Sequence, residues 1–199
     1  MNQNQYKDQS ETKETVIETP LWLANIVSEK SEIIISNIRK EKNNINIADF
    51  CCKNGNFTLS LSKDYNITGY DIEDYSKSFH SQFIQKDLLN LLDPIREIYD
   101  IILMNPPWNG FKPQYAPELF VKMALNYLDD DGFIVLITNS NFYNEGNARF
   151  KWLNNTLTAF KILFLPFHNV FPGIHQAAAI LFLCKKNANI CYKKTWKHI

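Results

Sequence analysis

The sequence predicts a single α/β domain: an open, mostly parallel, twisted sheet with helices on both faces. Three observations carry that expectation. Apolar runs of strand length alternate with amphipathic stretches of helix length. One run, "YDIILM" at Tyr99–Met104, is apolar almost throughout, as a strand buried on both faces must be. A chain of 199 residues is also long enough to enclose one sizeable core.

Taken in order, residues 1–14 are polar and charged, with almost nothing to bury, and disorder is expected there. "ETPLWLANIVSE" reads as a helix start, with Thr19 as N-cap, Pro20 at the first helical position and Leu21, Leu23, Ile26 and Val27 on an apolar face. A second helix is expected over Glu32 to Lys40. "INIADF" (Ile45–Phe50) is a strand, followed by the loop "CCKNGN" and a helix over "FTLSLSKD". "NITGYDI" (Asn66–Ile72) is a strand ending in acid, and "QFIQKDL" a shorter one. After Tyr99–Met104, "APELFVKMALNYL" is an amphipathic helix, closed by a "DDDG" turn before the strand "FIVLIT". "ARFKWLNNTL" is a helix, and "FKILFL" and "AAAILFLCKK" are the last two strands. No internal repeat is visible.

Composition is that of an ordinary globular protein, 45% hydrophobic and 21% charged. With 21 basic against 21 acidic residues, no global cationic field marks a stand-alone nucleic-acid binder. Lys185, Lys186, Lys193, Lys194 and Lys197 form a local basic stretch, either a solvated tail or a contact for phosphate or a partner. The cysteines, Cys51, Cys52, Cys184 and Cys191, make no C-x-x-C pair, and no histidine stands at zinc-ligand spacing. They read as small buried residues of a reducing compartment, with no metal and no disulfide framework. The start lacks a signal-peptide core and no apolar run has membrane-spanning length, so a cytoplasmic protein without a membrane partner is expected.

In open α/β sheets, ligands bind beyond the carboxyl ends of the strands. That rule sets the loops after Phe50, Ile72, Lys86 and Met104 on one rim. "DFCCKNGNF" has the small residues of a tight turn after a first strand: Asp49 at the strand end, then Cys51, Cys52 and Gly55. An ordinary strand-to-helix turn would look the same. Asp71 ends the next strand about twenty residues further on, where a carboxylate accepts from ribose hydroxyls. Asp87 either accepts from an adenine amino group or caps the following "LLNLL". At the fourth loop, Pro106 and Pro107 fix the exit of the strand. The Asn105 side chain and the Pro106 carbonyl offer two acceptors to one planar –NH₂ group, and Trp108 offers a face for a flat ring. A stiff turn packing an aromatic on the core is the plainer alternative.

These stretches together resemble the S-adenosylmethionine-dependent amino methyltransferases, in particular the N6-adenine DNA methyltransferases. "NPPW" is similar to their Asp/Asn/Ser-Pro-Pro-aromatic motif, "ETPLWLA" to their N-terminal Thr-Pro motif, and "DFCCKNGNF" to their first cofactor loop. "GYDIED" is similar to their ribose-binding segment and "QKDLL" to their adenine-contacting one. The motif order is the gamma arrangement, and "FHNVFPGIHQAAAILFLCKK" resembles the end of such a domain. The resemblance implies a Rossmann-like class I methyltransferase fold with an antiparallel C-terminal strand, a catalytic domain over 15–187 and a basic tail over 188–199. It implies S-adenosylmethionine as cofactor, held by Thr19, Pro20, Asp49, Cys51, Lys53, Gly55, Asp71, Ile72, Asp87 and Leu88. Asn105, Pro106, Pro107 and Trp108 would be catalytic. Trp108 and Phe171 would hold the target base, although Phe171 serves core packing equally well.

Two departures from the family pattern stand out. Lys53 replaces a usual glycine, and either crowds the methionine end of the cofactor or pairs with its carboxylate. No separate target-recognition domain follows the catalytic one. Base flipping from a duplex needs contacts elsewhere, so the resemblance implies a partner subunit, a single-stranded substrate or low sequence specificity, in a restriction-modification setting. DNA stands ahead of RNA as substrate. The rivals are a non-catalytic methyltransferase-like subunit binding a partner or nucleic acid, and a protein glutamine N5-methyltransferase.

Overall fold

The computed structural model describes residues 18–38, 44–61, 63–79, 81–90, 95, 97–108, 116–143, 148–165, 170–171 and 176–188. The polar N-terminus through residue 17, and the tail from residue 189 with Cys191, Lys193, Lys194 and Lys197, lie outside them. The elements are α1 (Leu21–Ile38), β1 (Asn46–Phe50), β2 (Asn66–Asp71), β3 (Gln82–Gln85), β4 (Tyr99–Met104), α2 (Ala116–Ala124), β5 (Leu128–Asn139), a 3₁₀ turn (Ser140–Tyr143), α3 (Ala148–Thr156), β6 (Leu157–Phe164) and β7 (Ala178–Lys185).

The seven strands form one sheet in the order β3-β2-β1-β4-β5-β7-β6. The first five in this row are parallel, and β7 runs antiparallel between β5 and β6. Alternation along the strands splits the core in two. On one face Leu23, Val27 and Ile34 of α1 pack with Ile47, Ile101, Leu103, Val135 and Phe182. On the other, Phe120, Val121 and Ala124 of α2 and Leu153 of α3 pack with Phe50, Ile102, Met104, Ile134 and Leu181. All six residues of β4 are buried, as its apolar run predicts. The expected layering is therefore present.

Four local expectations need correction. The two helices foreseen over 19–40 are one, because the serines and charges of 28–32 contain no glycine or proline to stop it. Ser28 and Ser31 are both buried, and the Ser28 hydroxyl donates to the Phe57 carbonyl at 2.6 Å. The helix begins one residue later than Pro20 suggests, since the Pro20 carbonyl accepts from Leu23 and Ala24 at 3.0 and 2.9 Å. The helix foreseen over "FTLSLSKD" is a chain of turns. Gly55, Thr58 and Leu61 N–H groups each bond three residues back, and the Thr58 hydroxyl also binds the Gly55 carbonyl at 2.9 Å, competing with helical bonding. The acidic "DDDG" lies inside β5 as a bulge: pairing with β4 jumps from Tyr99↔Leu128 to Ile101↔Phe133. A Cβ on Gly132 would come within 2.7 Å of the Asp100 carbonyl oxygen, so the close approach there requires glycine.

Cys51 and Cys52 are free thiols. Cys184, at the end of β7, is disulfide-bonded, with its partner outside the described residues. This corrects the expectation of thiols throughout, since sequence spacing does not say which sulfurs meet in space. The Lys185 ammonium donates to Asp130 at 2.8 Å and to the Leu128 carbonyl at 2.9 Å, and Lys186 donates to the Asn154 carbonyl at 3.3 Å. The first two lysines of the basic stretch are thus part of the fold. Among the described residues no helix is long and apolar enough to cross a membrane.

Candidate active site

Parallel register brings the carboxyl ends of β3, β2, β1 and β4 to one rim. The loop after β1 departs from it with three left-handed residues in five: Cys51 (φ 61°), Lys53 (φ 48°) and Gly55 (φ 78°). Only the third is glycine; the other two are strained by about 1–2 kcal/mol each. The loop keeps this shape by hydrogen bonding internally. Cys52 N–H donates to the Tyr70 carbonyl at 3.1 Å, Gly55 N–H to the Cys52 carbonyl at 2.8 Å, and Lys53 N–H to Asp71 Oδ2 at 3.1 Å.

Two carboxylates stand behind the loop. Asp71, at the end of β2, also accepts from Glu73 N–H at 3.2 Å. Burial raises its pKa, and the Glu73 and Lys53 N–H groups and the Lys53 charge oppose that shift. Asp49, one residue before the end of β1, is wholly buried, and neither of its oxygens has a hydrogen-bond partner. Burial, then the charge of Asp71, push its pKa well above the usual carboxylate range. Burial likewise pushes up both neighbouring thiols, Cys51 and Cys52, so neither is an activated nucleophile.

A pocket opens between this loop, the start of α1 and the exit of β4, lined by Glu18, Thr19, Cys51, Cys52, Lys53, Asn54, Asn56, Phe57 and Asn105. Three asparagine side chains tie the Glu18–Thr19 segment into it. Asn54 Nδ2 donates to Glu18 Oε1, Asn56 Nδ2 to the Thr19 carbonyl at 2.7 Å, and Asn105 Nδ2 to Thr19 Oγ1 at 3.1 Å. The last bond joins residues 86 apart in sequence and fixes the Asn105 amide, its nitrogen bound to Thr19 and its oxygen left as an acceptor.

Beyond Asn105, Pro106 is buried and Pro107 exposed. Trp108 is 8% exposed and meets the more deeply buried Phe171 edge to face, with ring centroids 5.2 Å apart. The two aromatics expected at the target base are therefore in contact with each other. On the far side of β2, Ile72 is 65% exposed and Pro20 half-buried beside Thr19. Asp87 is exposed, and its Oδ1 accepts from Leu89 N–H at 3.0 Å, the local cap that its sequence also allowed. Leu88 is buried in the core.

Sequence reading thus named Thr19, Cys51, Lys53 and Asn105 of the pocket lining individually, placed Cys52, Asn54 and Asn56 there only as members of the loop, and passed over Glu18 and Phe57. The recurrence of asparagine at 54 and 56 was the available signal. Without the fold, nothing said that both side chains reach back to the segment before α1.

S-adenosylmethionine fits this rim chemically. Asp71 has acceptor capacity beyond the two N–H groups it binds, as a ribose diol needs. The exposed Ile72 suits the face of an adenine ring.

The sequence model of the family described as Methyltransferase small domain matches residues 21–162. A curated relative, the type II methyltransferase M.VspI of Vibrio sp. (strain 343), is 23% identical over 197 residues, covering 80% of this chain and 48% of its own. Among solved structures, one from Listeria monocytogenes, assigned as a class I S-adenosylmethionine-dependent methyltransferase, superposes with TM-score 0.61 at 17% identity, covering 86% of this chain and 61% of its own. A second, assigned as the modification subunit of a type I restriction enzyme of Vibrio vulnificus YJ016, gives TM-score 0.61 at 14% identity, covering 86% and 45%. The chain spans about half the length of the curated relative it matches. Its sheet order and antiparallel β7 are those of the class I fold.

Proposed function

Because the chain belongs to the methyltransferase small domain family, whose cofactor is S-adenosylmethionine, we propose that it transfers a methyl group to the exocyclic N6 amine of adenine in DNA, working with a partner that supplies target recognition. The observation that carries this reading is the Asn105–Thr19 bond at the edge of the cofactor pocket. It commits the Asn105 nitrogen and leaves its carbonyl oxygen, with that of Pro106, to accept the two hydrogens of a planar amine. Those two bonds draw charge back onto the amine nitrogen and orient its lone pair, so catalysis is positioning and electrostatics without a strong base.

The bound cofactor supplies an electrophilic sulfonium methyl. Asp71 would hold the ribose hydroxyls and Ile72 the adenine ring. The methylated nitrogen sheds one proton past the same two acceptors to solvent. Trp108 stacks on the target ring once substrate entry uncovers it from Phe171. Asp87 and Leu88 contribute through the loop they shape.

A DNA target is supported by the names of the relatives, a type II methyltransferase and a type I modification subunit. The partner is supported by the second of these and by a net charge of +0, which leaves little general attraction for phosphate. The test is expression in a host without adenine methylation, with digestion of its DNA to nucleosides. N6-methyldeoxyadenosine is expected with the native chain and its disappearance with Asn105→Ala. Equal levels in both would refute the role given to Asn105.

A further inference from the structure

Resting on the DNA target proposed above, we propose that the Trp22 indole is the platform on which an unpaired base next to the target adenine stacks, so that the chain takes a single strand. Of the described tryptophans, Trp108 is covered by Phe171, and Trp152 has the Lys122 ammonium 4.7 Å from its ring centroid. Trp22 is different. It is 49% exposed, and among the described residues no ring contact, cation or hydrogen bond engages its indole. Beside it Leu21 is 55% exposed.

Its place in the fold sets this open face at the mouth of the pocket. Trp22 belongs to the first turn of α1, three residues after Thr19, whose hydroxyl and carbonyl are held by Asn105 and Asn56. Leu23, Ala24 and Val27 turn to the sheet with no exposure, which leaves Leu21 and Trp22 on the outer side of the helix. Helical side chains lean toward the N-terminus, so the indole leans over the Glu18–Thr19 segment that walls the pocket. A strand whose target amine lies at Asn105 passes this wall. Charge disfavours the opposite approach. At and beyond the ends of β2 and β3 the rim carries Asp71, Glu73, Asp74 and Asp87 against Lys77 and Lys86, and excess acid repels phosphates. A net charge of +0 adds no general attraction, so affinity must come from the bases. Stacking on an indole needs a base free of its pairing partner and tolerates any sequence. An unpaired strand meets that need and a duplex does not.

Fluorescence anisotropy of a short labelled DNA strand containing a single adenine, titrated with the full chain in saturating S-adenosylhomocysteine, tests this. Trp22→Ala removes the platform and Trp22→Phe keeps a smaller one. Thermal melts verify that both fold, and calorimetry measures their affinity for S-adenosylhomocysteine. Expected for Trp22→Ala is a loss of strand affinity of about 5- to 150-fold. Its salt dependence should stay unchanged, since no phosphate contact is removed, and so should S-adenosylhomocysteine affinity. Trp22→Phe should lose less. The same sequence as a duplex should bind the native chain more weakly and lose nothing further in Trp22→Ala. Strand affinity that survives Trp22→Ala, or a duplex bound by the native chain as tightly as the strand, would overturn the proposal and leave the DNA reading standing. Loss of S-adenosylhomocysteine binding in Trp22→Ala would also overturn it, by tracing the effect to the Glu18–Thr19 wall. A native chain that binds neither form of DNA would overturn the DNA reading, and this inference with it.

Discussion

Replacing Asp49 with asparagine should stabilise the protein increasingly as pH rises. The carboxyl is 0% exposed and neither oxygen is hydrogen-bonded. Burial and the Asp71 charge hold its pKa in the folded state well above the ordinary value. In the unfolded chain it titrates near pH ~3.9. Between the two values the folded protein holds the proton and the unfolded chain has lost it, so stability falls as pH rises through that window. Asparagine has nearly the shape of the neutral acid and no charge to bury. The variant should match the native protein at about pH 4 and gain about 1.4 kcal/mol on it for each pH unit, until the folded carboxyl ionises. For a chain of this length, that is roughly 3–6 °C in Tm per pH unit. Asp71 remains in both proteins and cancels, apart from its coupling to Asp49. Thermal unfolding of both proteins, followed by circular dichroism from about pH 4.5 to about pH 8, measures the difference. An offset independent of pH would refute the reasoning.

Other perturbations separate the parts of the site. Thr19→Val, which removes the acceptor of the Asn105 amide, should lower methyl transfer by about tenfold or more with little change in cofactor affinity. Thr19→Ser should restore the rate, and rates that do not distinguish valine from serine would rule out the positioning role. Gly55→Ala sets a Cβ within 2.7 Å of the Phe79 ring at φ 78°. It should cost about 1–3 kcal/mol, read by urea denaturation, and a neutral result would mean that the loop relaxes freely. Tyr99→Phe removes the hydroxyl that bonds Glu97 at 2.5 Å and Tyr70 at 2.6 Å. Denaturation should show a loss of about 1 kcal/mol without change in cofactor binding, because this cluster lies away from the pocket.

What the sequence disclosed and what it hid divide along a physical line. Strands announced themselves where burial on two faces demanded unbroken apolar runs, as at Tyr99–Met104, and the parallel edge then followed from general rules of α/β topology. Asn105 and its prolines were legible because two consecutive prolines directly after an apolar run end a strand abruptly. Local hydrogen-bond competition was not legible. Thr58 closing on Gly55 turned an expected helix into turns, and the acids of 129–131 entered a bulge where a turn was expected. Least visible were the long-range side-chain bonds. Asn54 and Asn56 reach the Glu18–Thr19 segment, and Thr19 reaches Asn105, across distances in sequence that no periodicity records.

The account's central claim is tested most directly by incubating the purified chain with methyl-labelled S-adenosylmethionine and a mixture of single-stranded DNA, duplex DNA, RNA and protein, then locating the label by mass spectrometry. Label on the N6 position of deoxyadenosine, lost in Asn105→Ala, is the predicted result. Label on glutamine side chains and none on deoxyadenosine would contradict it.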